Sequence, residues 1–111
     1  MNRAIATIEH RRGETITFGL RSTPAYDGTE TVTCDVKLAL NGDTVPPASA
    51  PVVLSITPSF SNAAWMFTIT ATQSAAMADG NYITDAKVVF AGGAVDYTDP
   101  LGIKIQGRVT T

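Results

Sequence analysis

From Thr31 to Leu40 every second residue is apolar. Val32, Cys34, Val36, Leu38 and Leu40 fall on one side, and Thr31, Thr33, Asp35 and Lys37 on the other. A period of two marks a strand with one buried face, because successive side chains project to opposite sides of a sheet. The same alternation recurs along the chain. Ile16, Phe18 and Leu20 oppose Thr15 and Thr17, and Trp65, Phe67, Ile69 and Ala71 oppose Thr68, Thr70 and Thr72. Tyr82, Ala86, Val88 and Phe90 face inward on a later strand, and Leu101, Ile103 and Ile105 on the last. Shorter strands are predicted over Val52, Leu54 and Ile56 and around Val95 to Tyr97. Residues 1–9, with Ala4, Ala6 and Ile8, read as a weaker strand, either a sheet edge or an arm that reaches a neighbour.

Turn residues punctuate these runs. Asn41-Gly42 and Gly92-Gly93 suit tight turns, Pro46-Pro47 and Pro51 a stiff extended connection, and Pro58 to Asn62 and Asp99-Pro100 further turns. Gln73 to Ala78 is expected to make one helical turn. Seven or eight strands at this spacing predict an all-β protein: a β-sandwich of antiparallel strands, in one domain over residues 1–111. Trp65, Phe67, Phe18 and Phe90 are expected to fill its core.

Composition agrees. Apolar residues make up 44% of the chain and charged residues only 16%. Thr occurs sixteen times, and it suits the solvent face of a strand. The net charge of −2 offers no basic field for nucleic acid or anionic lipid. The charge is nonetheless uneven: Arg3, Arg11, Arg12 and Arg21 come early, whereas all seven Asp residues follow them. A basic edge meeting an acidic patch on another copy would use that asymmetry. With Cys34 the single cysteine there is no internal disulfide, and its place on an apolar face predicts a buried thiol. The chain has no apolar run of signal-peptide or transmembrane length, which implies synthesis in a reducing cytoplasm and no membrane partner.

Catalytic chemistry finds little purchase. The single histidine, His10, sits among Glu9, Arg11 and Arg12, and there is no Gly-x-Ser-x-Gly elbow. One His and one Cys are too few for a zinc site, and Asp79, Asn81 and Asp85 do not match a calcium loop. The expectation is therefore a protein that is not an enzyme and carries no cofactor. Tyr26 and Tyr97, both in turn-like stretches, are candidate platform residues for a glycan.

The segment Ala78-Asp79-Gly80-Asn81-Tyr82 resembles the tyrosine corner of immunoglobulin-like sandwiches, where a phenol hydroxyl bonds back to upstream backbone. Asp79, Gly80 and Tyr82 are the residues of this structural corner, with Asp79 three rather than four positions before the Tyr. The order of elements resembles small phage virion domains, in particular the immunoglobulin-like N-terminal domain of siphophage baseplate upper proteins. Arg12-Gly13-Glu14-Thr15-Ile16-Thr17-Phe18, the strand of Val32, Cys34 and Val36, Met77 to Val88, and Leu101-Gly102-Ile103-Lys104-Ile105 carry that resemblance. It implies a structural virion protein of a phage or prophage particle, as a head decoration, neck, tail or baseplate accessory. Its partners would be other virion proteins and copies of itself. Candidate contact residues are Arg3, Ile5, Arg11, Arg12, Tyr26 and Tyr97. The alternative is a carbohydrate- or receptor-binding sandwich module.

Overall fold

The computed structural model describes residues 6–39, 46 and 49–107. Among them, the strands are β1 (Ala6–Arg11), β2 (Ile16–Leu20), β3 (Thr31–Ala39), β4 (Leu54–Ile56), β5 (Ser59–Ser61), β6 (Ala64–Ile69), β7 (Gly80–Val89), β8 (Val95–Tyr97) and β9 (Leu101–Gln106). A short helix, α1 (Ala71–Ala75), separates β6 from β7. Two sheets form: a six-stranded one ordered β1-β9-β7-β3-β4, with β8 also on β7, and a three-stranded one ordered β2-β6-β5.

The alternation read from the sequence decides what lies between the sheets. Ile16, Phe67 and Ile69 of the small sheet share one core cluster with Val32, Cys34, Val36, Tyr82, Ala86, Val88, Ile103 and Ile105 of the large one. Phe18 stacks on Phe67 with ring centroids 5.2 Å apart. The strand order, the helical turn before β7 and the split into a larger and a smaller sheet make this an immunoglobulin-like β-sandwich.

Several local expectations are corrected. The strands are not all antiparallel, since β1 runs parallel to β9, with Ile8 opposite Ile103. A parallel pair needs a long crossover, and here the rest of the sandwich supplies it. Gly102 permits the close approach: a Cβ there would lie 2.7 Å from Thr7 Oγ1. The helical turn begins earlier than Gln73, because Thr70 and Gln73 form a reciprocal capping box at its start. Ala71 and Thr72 are therefore helical rather than part of the strand. The predicted turn over Pro58 to Asn62 contains β5. Its hairpin to β6 turns at Asn62 and Ala63, whose φ values are 52° and 61°. An Asn-Ala pair in a turn that usually takes Asn-Gly carries a weak signal. Leu38, expected inside, is 57% exposed, because the core cluster ends on β3 at Val36. Leu40 and the Asn41-Gly42 turn lie outside the described residues.

Strands β8 and β9 occupy the same edge of β7 but out of step. Lys87 is opposite Tyr97 and Thr84 is opposite Leu101, so Asp85 and Ala86 face Thr98, Asp99 and Pro100. That is one residue too many, a bulge. Thr98 bridges it by taking both main-chain groups of Ala86. Its N–H donates to the Ala86 carbonyl at 2.9 Å, and its Oγ1 accepts from the Ala86 N–H at 2.9 Å. Pro100, without an N–H, sits where the ladder is broken.

Candidate functional site

The corner is present as the sequence led one to expect. Tyr82 Oη donates to the Ala78 carbonyl at 2.8 Å, and its ring is buried in the core cluster. Burial raises the Tyr82 phenol above its ordinary pKa, and the nearby Asp79 carboxylate raises it further. Replacing Tyr82 by Phe removes that one hydrogen bond and should cost on the order of 1 kcal/mol in a denaturant titration. A cost near zero would show that the latch carries no stability.

Around Tyr82 several separate stretches of the chain converge. Arg12 Nη2 lies 3.6 Å from Asp79 Oδ1, with both side chains well exposed, so this ion pair positions the loop more than it stabilises it. The Arg12 N–H donates to the Gln106 carbonyl at 2.7 Å, and Arg11 Nη1 to the Gly107 carbonyl at 2.9 Å. Ser74, fully buried in α1, ties this end together. Its hydroxyl donates to the Glu14 carbonyl at 2.6 Å and accepts from the Gly13 N–H at 3.0 Å. The Glu14 carboxylate in turn accepts from the Arg11 N–H. Ser74 escaped sequence reading because its partners are some 60 positions away and nothing in its neighbourhood marks it as buried.

A second node also went unread. Glu30 is only 8% exposed, and its carboxylate accepts from three N–H groups. Trp65 Nε1 and the Gly28 N–H donate to Oε1 at 3.0 and 3.1 Å, and the Asp27 N–H to Oε2 at 3.2 Å. Trp65 is therefore only partly buried, with its indole turned to this acid and tilted against Phe60 at 5.2 Å. Gly28 is required here: it holds φ 90°, and a Cβ would meet the Phe60 ring at 3.0 Å. The loop joining β2 to β3 is thus built inward on a carboxylate.

This arrangement corrects one candidate. Tyr26, expected exposed, is 7% exposed and packs against Phe90 with centroids 6.3 Å apart, because the inward-built loop carries it into the core. Tyr97 is 62% exposed on β8. Arg11 and Arg12 lie at the corner end, remote in register from Tyr97. Arg3 and Ile5 lie outside the described residues.

Tyr97 belongs to the outer face of the large sheet. On this face Asp35 is directly opposite Asp85, Lys87 opposite Tyr97, and Val89 opposite the exposed Val95. Two like charges in register are unfavourable, and Ser55 Oγ donates to Asp35 Oδ1 at 2.8 Å. A shallow depression of about 310 Å³ lies here, bordered by Asp35, Lys37, Pro46, Ile83, Asp85 and Tyr97. A larger cleft, of about 560 Å³, opens between β2 and the β8–β9 bulge.

His10 Nδ1 stands 3.7 Å from Glu14 Oε2. Among the described residues no three His, Cys, Asp or Glu side chains gather as metal ligands would. Among them, too, no helix is long and apolar enough to cross a membrane. Cys34 is buried, as its place in the alternation predicts, and lies 3.0 Å from Thr84 Oγ1. Thr84 gives its own proton to the Asp35 carbonyl at 2.8 Å, so the thiol is the donor. Burial pushes the Cys34 thiol from 9.0 up to about 11, with help from the Asp85 and Asp35 carboxylates. Since the folded state favours the neutral thiol, this contribution to stability is complete below pH 9 and is lost as pH rises towards 11. The expected result is a denaturation midpoint that falls above pH 9. In Cys34→Ala the part of that fall between pH 9 and 11 that comes from the thiol should be absent. An unchanged alkaline profile in that variant would refute the assignment.

No family model matches the chain, and no curated protein matches it in sequence. The class is set by the fold: an immunoglobulin-like β-sandwich in which both the corner and the two-sheet core are in place. Among solved structures the chain is similar to CopC from Methylosinus trichosporium OB3b, with a TM-score of 0.53 over 97% of this chain and 91% of that one. At 10% identity the likeness is one of fold alone.

Proposed function

We propose that this protein is a non-enzymatic structural component of a phage or prophage particle, acting by assembly with copies of itself and with other virion proteins. The observation that carries the reading is the convergence at the corner end. Arg11 to Glu14, Ser74 to Tyr82 and Gln106 to Gly107 are separate stretches of chain bound into one node. These stretches contain or adjoin the ones that resemble the siphophage baseplate domain. Exposed apolar side chains at Val95 and Tyr97, on a face that also carries Asp35, Asp85 and Lys87, supply contact surface of the kind that repeated subunits use. On this reading the protein is made in the host cytoplasm and resides in the virion, where a modest interface is multiplied by symmetry. Native mass measurement of the purified protein across concentrations tests it. A defined homo-oligomer, or co-assembly with particle proteins from the same source, is the expected result. A strict monomer that joins no particle overturns it.

A second reading, a carbohydrate- or receptor-binding module, is favoured by one observation: Tyr97 projects beside a depression edged by carboxylates and Lys37. With Tyr26 buried, the platform is reduced to a single aromatic ring. Specific glycan binding that disappears in Tyr97→Ala would support this reading over assembly.

A further inference from the structure

We infer that the outer face of the large sheet is a twofold contact between copies of this chain, in which Lys87 of each copy sits on the Asp35–Asp85 pair of the other. The contact presupposes the assembly reading and names the surface that assembly uses. Its residues fall in rows across the strands. Asp85, Asp35 and Ser55 stand opposite one another in one row. Tyr97, Lys87 and Thr33 make the next, and Val95, Val89 and Thr31 the one after. All of these except Val89 are exposed, Val95 at 51% and Tyr97 at 62%. Two carboxylates in register repel each other. Ser55 relieves Asp35 through its hydroxyl, whereas no donor among the described residues reaches the Asp85 carboxylate. A cation arriving from outside removes that repulsion, and the exposed apolar side chains in the next rows leave water in the same contact.

The occupant follows from the order of the rows. The face carries its own complement: a doubly negative row, then a row with a lysine. A twofold axis that runs along the rows, midway between these two, lays each acid pair against the partner's Lys87, twice per dimer. Such an axis leaves each strand over its own counterpart. Lys87 therefore comes over Asp85, which lies on the same strand, β7. Packed sheets are about 10 Å apart, a gap that a lysine and an aspartate side chain close together. Other placements fail on charge. An axis on the acid row sets carboxylate on carboxylate, and one on the lysine row sets ammonium on ammonium. An axis parallel to the strands, between β3 and β7, sets Asp85 on Asp35. An unrelated basic segment would satisfy the two acids but leave Lys87 in the contact without a counter-charge. A second copy satisfies both.

Charge exchange across the axis tests the contact. Lys87→Asp and Asp85→Lys are made singly in the full chain, and association is read by sedimentation equilibrium. Each single variant brings two like-charge contacts into the dimer, so association should weaken about a hundredfold. Mixing the two variants should restore association close to the wild-type strength, because in the mixed dimer each new lysine meets a new aspartate and the native pair forms once more. Both positions are exposed, and recovery on mixing cannot arise from damage to either fold. Weakening in both variants with no recovery on mixing assigns the acids to a different partner surface and overturns the twofold contact. Unchanged association in both single variants overturns the face and leaves the assembly reading standing. A monomeric wild type overturns the assembly reading, and this contact with it.

Discussion

Phe67→Ala is expected to cost about 3–5 kcal/mol in a chemical denaturation experiment, the largest effect of any single truncation considered for this protein. Phe67 is 2% exposed, lies on the inner face of β6, and stacks on Phe18 with an interplanar angle of 14°. Its removal deletes contacts to both sheets at the one layer that joins them. The site has little means to collapse, because Phe67 also forms part of the floor of the open cleft. A void there would communicate with solvent. Against a typical domain stability of roughly 5–15 kcal/mol the loss is severe. Phe67→Leu, which keeps most of the volume, should cost much less, on the order of 1–1.5 kcal/mol. If the Ala variant unfolds at the wild-type midpoint, the assignment of Phe67 to the shared core is wrong. The neighbouring Trp65 would have been chosen on size alone, but it is only partly buried and its ring sits at the edge of the sandwich.

Glu30→Leu is expected to cost about 3 kcal/mol. The hydrocarbon fills the space but leaves the Trp65 indole and the Asp27 and Gly28 amides without their acceptor. A hydrogen bond to a charged group contributes about 1.5–3 kcal/mol. The three losses do not add fully, because the amides are only partly buried and water replaces some of what is removed. Glu30→Gln retains one acceptor oxygen and should lose about 1 kcal/mol. Trp65 is the only tryptophan, so its emission reports the indole environment directly. Both Glu30 variants should shift that emission before any unfolding. A double-mutant cycle with Trp65→Phe isolates the pair, with a coupling of about 1 kcal/mol expected. Strict additivity would show that the indole and the acid act independently.

The corner and the thiol show how much was legible in one dimension. The alternation of Val32, Cys34 and Val36, and of Phe67 and Ile69, told which side of each strand is buried, and the core cluster contains all of them. The same rule correctly placed Cys34 away from solvent and Tyr82 inside, because facing is a local property with a period of two. The misses cluster where the outcome depends on a distant partner. Tyr26 looked like an exposed turn residue until Glu30 drew its loop inward. Thr70 and Ala71 continued a strand pattern until the capping box with Gln73 outweighed it. Leu38 followed the alternation faithfully but ran past the end of the core.

Unaided, then, the amino-acid sequence determined the class: strands of known facing, separated by turns, with a helical turn ahead of a tyrosine corner. The tertiary structure alone decided which strands are neighbours. It set β1 parallel to β9, placed Asp35 against Asp85, tied Ser74 to the loop at Gly13 and Glu14, and left a cleft between β2 and β8. The reason is physical. Periodicity along a strand encodes the side on which a residue lies. Which strand lies beside it is settled by packing the two sheets and closing their edges, among residues as far apart as Arg11 and Gly107.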